Sequence, residues 1–64
     1  MISKTWRGYE VSAPIKGSRF KKYVRYVRAG YVYWTLDYTY AAHYSEKTAL
    51  KHDANIKAGL YKEV

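Results

Sequence analysis

From residue 19 to residue 40 aromatic and β-branched side chains recur at nearly every second position, with basic or polar residues between them, and this period of two predicts β-strands. The pattern breaks once, at Arg28-Ala29-Gly30, which reads as a three-residue hairpin loop with Gly30 in the left-handed conformation joining strands 19–27 and 31–40. Upstream, Thr-Trp-Arg-Gly-Tyr-Glu-Val-Ser at 5–12 predicts a first strand with Gly8 as a bulge, and 13–18, which holds Pro14 and Gly17, ends it.

A three-residue loop sets the register of the hairpin. It pairs Val27 with Tyr31, Tyr26 with Val32, Val24 with Trp34 and Phe20 with Tyr38, so even-numbered side chains share one face. That face carries Phe20, Val24, Tyr26, Val32, Trp34, Leu36, Tyr38 and Tyr40, with Lys22 alone out of character, and is the expected core side. The opposite face is basic and rich in tyrosine: Lys21, Tyr23, Arg25, Tyr31 and Tyr33, with Val27 and with Asp37 across from Lys21. A two-residue turn at Ala29-Gly30 would set Arg25 opposite Trp34 on the core side, where a charge is costly, and is rejected on that ground.

After Ser45 the period changes. Ser45-Glu46 offers an N-cap and an acidic first turn, and Ala49, Leu50, Asp53, Ala54, Ile56, Lys57 and Leu60 follow at helical spacing until Gly59 interrupts it. Leu60 and Tyr61 are expected to fold back on the sheet. The expected architecture is α+β, a three-stranded antiparallel β-sheet in the order β-β-β-α with one C-terminal helix packed on one face. Its core would hold Val24, Trp34, Leu36, Tyr38, Leu50, Ala54 and Leu60. One helix covers one face of such a sheet, so the other meets solvent or a partner.

Length makes this a single domain, 1–64, that buries only about 60% of its unfolded surface. Nine tyrosines, two tryptophans and one phenylalanine supply large side chains for so small an interior, which is one explanation for their number. With no cysteine there is no disulfide framework and no thiolate metal site. The first residues lack the apolar run of a signal peptide, and no stretch reaches the ~20 apolar residues of a membrane span, so a cytoplasmic protein without membrane contact is expected.

Charge changes the picture more. The formal net charge is +7, and residues 1–28 carry all of it, with eight basic side chains against the single acid Glu10; four lysines and four acids cancel in 29–64. Six bases fall between Lys16 and Arg28, interleaved with Phe20, Tyr23 and Tyr26, as in surfaces that meet polyanions. Lysines on an open edge also keep small sheets from aggregating, and that reading stands beside the first.

No catalytic constellation is present. His43 and His52 stand nine residues apart without a cysteine or another close histidine, and Glu10, Asp37, Glu46, Asp53 and Glu63 form no spaced acidic pair. Lys16-Gly17-Ser18 lacks the glycine-rich run and following helix of a phosphate loop. The expectation is a binding protein, not an enzyme, with no cofactor and no metal.

The order of a first strand, a long aromatic hairpin and a helix opening Ser-Glu-Lys-Thr-Ala resembles small DNA-binding sheets, namely the N-terminal arm-binding domains of tyrosine recombinases and the plant AP2-like domain. The run from Tyr40 to Ala49 also resembles the strand-to-helix junction of short bacteriophage-encoded proteins. The resemblance implies a phage or mobile-element origin, the cytoplasm of a host cell, and a sheet whose exposed Arg, Lys and Trp touch phosphates and base edges. The glycine-rich first turn and Trp-Gly spacing of the plant family are missing here, so no site residue is transferred.

Two partners fit these features. Nucleic acid would meet Lys16, Arg19, Lys21, Arg25 and Arg28 through its phosphates, with Tyr23, Tyr31 and Tyr33 stacking on bases; the expected site is Lys16, Arg19, Lys21, Tyr23, Arg25, Arg28 and Tyr33. Alternatively the same face docks, as a phage-encoded inhibitor or adaptor, on an acidic surface of a host protein, since Tyr and Arg are favoured interface anchors. A homodimer through the open face or a sheet edge would cover the same surface.

Overall fold

Thr5-Trp6-Arg7-Gly8 is a turn and not the start of a strand. The Thr5 hydroxyl donates to the Gly8 carbonyl (2.8 Å) and accepts from the Arg7 amide (3.2 Å), and Gly8 has φ +131°. The chain therefore begins with a hairpin, β1 (Ile2–Thr5) and β2 (Gly8–Pro14), where one strand with a bulge at Gly8 was expected. The computed structural model describes residues 1–64. It continues with β3 (Lys21–Arg28), β4 (Tyr31–Thr35), a 3-10 turn (Tyr38–Tyr40), α1 (Glu46–Lys57) and β5 (Lys62–Glu63). The class is α+β with one helix, as expected, but the sheet has five strands in the order β1-β2-β3-β4-β5, antiparallel except for β5, which runs parallel to β4.

The β3–β4 hairpin closes through the two-residue turn that the sequence argument rejected. Arg28 pairs with Tyr31, and Ala29 and Gly30 have φ of 53° and 80°, the positive pair that a type I′ turn demands. Arg25 does not land on Trp34, because a β-bulge between Val24 and Tyr26 takes up the extra residue and restores Val24 opposite Trp34. Beyond the bulge the expected faces exchange. Tyr26 pairs with Tyr33 and stacks on it (centroids 4.3 Å apart), while Val27 pairs with Val32 and packs into the core.

The core is built from Val11, Val24, Val32 and Ala49, with Ile2, Tyr9, Val27, Trp34, Tyr44, Ile56 and Tyr61 packed around them. Of the expected core, only Val24 is fully buried and Trp34 half-buried, while Leu36, Tyr38, Leu50, Ala54 and Leu60 are exposed. The reason is that β4 stops at Thr35. Asp37 leaves the sheet and caps the 3-10 turn, its Oδ1 accepting from the Thr39 amide at 2.9 Å, so Asp37 does not face Lys21 and Phe20 does not pair with Tyr38. Lys22 does lie on the core side: its ammonium sits over the Trp34 ring, 4.4 Å from the centroid, and reaches Glu63 at 3.4 Å.

The helix begins where its cap predicts, the Ser45 Oγ accepting from the Thr48 amide, and it ends before Gly59 at φ +71°. It packs mainly on β2. Tyr61 returns to the core and Leu60 does not. The Tyr61 hydroxyl accepts from Asn55 (3.0 Å) and is hydrogen-bonded to Nδ1 of His52 (2.7 Å), whose ring meets Tyr44 edge-on. This cluster aims the last residues along β4, where Lys62 N–H bonds to the Gly30 carbonyl at 2.9 Å. No helix is long and apolar enough to cross a membrane.

Two outcomes follow from these contacts. Ala29 sits in a conformation that costs an L-residue about 1–2 kcal/mol, so Ala29→Asn should stabilise the domain by about 0.5–1 kcal/mol in denaturant unfolding. Burial, and then the charge of Lys51, hold the His52 pKa below its ordinary value, so the unfolded chain takes up a proton before the folded one does. The contribution of His52 should be complete above the ordinary histidine pKa and lost as pH falls from there through the lower folded value. His52→Gln should remove that part of the slope in a melting series between pH 7 and pH 5.

Candidate nucleic-acid interface

β2 and β3 pair only through Ser12–Pro14 with Lys21–Tyr23, and below that they splay. The chain returning from the 3-10 turn enters the fork. Tyr44 exchanges backbone hydrogen bonds with Tyr9 on β2 (2.8 and 2.9 Å), and the Ala42 N–H bonds to the Val24 carbonyl on β3 at 2.9 Å, beside the bulge. Ala41 is buried there, and Gly8 is required: a Cβ on it would stand 2.9 Å from the Tyr44 carbonyl oxygen. This insertion holds His43 and Tyr38 against the face that the helix does not cover.

On that face Lys21 and Tyr23 lie in register with Pro14 and Ser12, and the bulge presents Arg25 and Tyr26 side by side. Tyr31, Tyr33 and Thr35 of β4 continue it, with Arg28 at its far end. Lys16 and Arg19 are exposed in the connection from β2 to β3, which is tightened by hydrogen bonds between Ile15 and Phe20 and between Ser18 and Ile15. Of the expected site, Lys21, Tyr23, Arg25, Arg28 and Tyr33 thus share one face, and Lys16 and Arg19 border it. Tyr33 has one ring face already covered by Tyr26.

The sequence reasoning missed a second set of residues on this side. Trp6 (88% exposed), Phe20 (65%), Tyr38 and Tyr40 project from turns; strand periodicity sets Phe20, Tyr38 and Tyr40 on the core side, and they lie outside it because β3 begins only at Lys21 and β4 stops at Thr35. Three arginines lie over such rings: Arg7 on Trp6 (4.7 Å from its centroid), Arg25 on Tyr40 (5.2 Å) and Arg19 on Phe20 (5.7 Å). None of the three has a carboxylate within 4.0 Å; the acids that form ion pairs are Asp53, Glu63 and Glu10, with partners Met1 and Lys57, Lys22, and His43. The cations of the open face are therefore free.

Two shallow cavities lie along this face and share Tyr23 and Tyr38. One, of about 440 Å³, runs from Trp6 and Arg7 to Glu10 and His43; the other, of about 500 Å³, is lined by Ile15, Phe20, Lys21 and Leu36. Together they make a groove with aromatic walls and a basic rim. At its first end Glu10 Oε2 and His43 Nε2 are 3.0 Å apart, with side chains 12% and 21% exposed. No three His, Asp or Glu side chains come close enough to hold a metal ion. Comparison with protein-family models, curated proteins and solved structures finds no match to this chain.

Gly8→Ala tests the insertion that supports the groove. Positive φ and the close approach to Tyr44 should together cost at least about 2 kcal/mol, read as a lowered denaturation midpoint. The Tyr9–Tyr44 amides should exchange with solvent faster in the same variant.

Proposed function

We propose that this protein is a small non-catalytic nucleic-acid-binding module, of phage or mobile-element origin, that holds single strands along the open sheet face. The observation that carries the reading is the set of arginines on exposed rings without acidic partners, Arg7 on Trp6, Arg19 on Phe20 and Arg25 on Tyr40. A guanidinium lying over a ring keeps its N–H donors at the rim free for phosphate, while neighbouring rings offer faces to bases; single-strand binders combine these two elements. Lys21 and Tyr23 line the groove, while Lys16 is exposed in the β2–β3 connection and Arg28 stands farther along β3, beside the hairpin turn. A duplex fits less well, because Trp6, Phe20 and Tyr38 stand out from the sheet as separate rings and offer no ridge for a groove of DNA.

One observation favours a second reading. Leu36 (73% exposed), Phe20 and Ile15 make the far end of the groove apolar enough for a side chain of an acidic host protein. Strand addition between two copies has little backbone to use, since the outer strands are β1 with four residues and β5 with two.

Fluorescence anisotropy with labelled single-stranded DNA and RNA tests the proposal. Micromolar or tighter binding at low salt is expected, with log affinity falling against log salt by about 0.7 for each phosphate contacted. Lys21→Ala with Arg25→Ala should flatten that slope by about 1.4 and leave the melting transition in place. Failure to bind any oligonucleotide at low salt would end this reading. Capture of one acidic protein, undisturbed by competitor DNA, would support the second.

A further inference from the structure

Resting on the nucleic-acid reading, we infer that the cavity between Trp6 and Glu10 takes one unpaired base and selects guanine. The reason lies in the carboxylate. Glu10 is the only acid on the wall of this cavity; its side chain is nearly buried, and its one hydrogen bond comes from His43 at 3.0 Å. In the tautomer with a proton on Nε2, His43 donates to Oε2 and fixes the plane of the carboxylate, which leaves Oε1 and the second lone pair of Oε2 to accept from a ligand.

Base edges differ in what they offer such a group. Guanine presents N1–H and the N2 amine side by side, two adjacent donors matched to two carboxylate oxygens. Adenine and cytosine set a ring nitrogen acceptor beside their exocyclic amine, which would face a negative oxygen, and uracil and thymine offer one N–H between two carbonyls. A carboxylate held in a partly desolvated site therefore rejects three of the four edges by leaving like partial charges opposed.

The other walls suit the rest of a nucleotide. Trp6, exposed at the tip of the β1–β2 turn, and the rings of Tyr23 and Tyr38 offer faces for a purine. Arg7, over Trp6, stands at the rim, where the phosphate of a base stacked on that indole would lie. The volume of about 440 Å³ lies within the range of small-ligand sites.

The test compares thymidine tetranucleotides that carry guanine, adenine, cytosine or hypoxanthine at one central position, titrated into the whole protein at low salt. The guanine tetramer should bind about tenfold more tightly than the adenine and cytosine ones, in line with one bidentate contact. Hypoxanthine keeps N1–H but lacks the N2 amine, so most of that preference should vanish on the unaltered protein. Glu10→Gln, which puts an amide donor where guanine needs an acceptor, should bring the guanine-to-adenine ratio close to one. Equal affinity for all four tetramers would overturn the guanine inference while leaving single-strand binding in place. A guanine preference that survives both hypoxanthine substitution and Glu10→Gln would overturn it as well. Absence of binding by every tetramer and by longer strands would remove the nucleic-acid reading itself.

Discussion

The two-sided hydrogen bonding of the segment around Ala42–Tyr44 is the contact on which the rest of this small domain depends. Backbone groups buried in a fork between two strands must find partners, and here Tyr44 serves Tyr9 on β2 while Ala42 serves Val24 on β3. The bulge at Arg25 lies next to the Val24 carbonyl that accepts from Ala42, and Gly8 leaves the room that the Tyr44 carbonyl needs. One insertion thus joins the hairpin to the helix, buries Ala41, and fixes His43 beside Glu10. A domain of this length has few fully buried side chains to spend on such a junction, so backbone hydrogen bonds carry much of its specificity.

The same junction divides the sheet into two kinds of surface. On the helix side, valines, Ala49 and the Tyr44–His52–Tyr61 cluster close a small core. On the other side, the turns at Trp6-Arg7 and Arg19-Phe20 and the 3-10 turn at Tyr38–Tyr40 rise around Tyr23 and Lys21 and make a groove. Three of the acids are occupied elsewhere, Asp53 by Met1 and Lys57, Glu63 by Lys22, and Asp37 by the cap it provides, while Glu10 lines the groove beside His43. The +7 charge is consequently not spread evenly over the molecule but leaves unpaired cations along the groove.

Much of this was legible in the sequence, for reasons that can be named. The helix could be placed because Ser45 is a good cap and Gly59 a good stop, and the basic face because Lys21, Tyr23 and Arg25 alternate with buried Val24 and with Lys22. The hairpin turn was misjudged because strict alternation leaves no place for a bulge, and a bulge is the device that reconciles an Ala-Gly type I′ turn with a buried Val24–Trp34 pair. The first hairpin was hidden in the same way, since Thr5, Trp6 and Tyr9 favour strands while Thr5 and Gly8 close a turn among them. Leu36 and Tyr38 look like core in a period of two and lie outside it because Asp37 ends the strand. The Glu10–His43 pair spans thirty-three residues of sequence, and only the insertion between β2 and β3 brings its members together.

Chemical-shift mapping tests most directly the proposal that the open face meets single-stranded nucleic acid. A short oligonucleotide titrated into isotopically labelled protein at low salt should move the Trp6 indole and the amides of Tyr23, Arg25, Tyr38 and His43. Resonances of the outer helix surface, Lys47, Lys51 and Lys57, should stay in place. Shifts confined to those helix lysines, or none at all at saturating oligonucleotide, would contradict it.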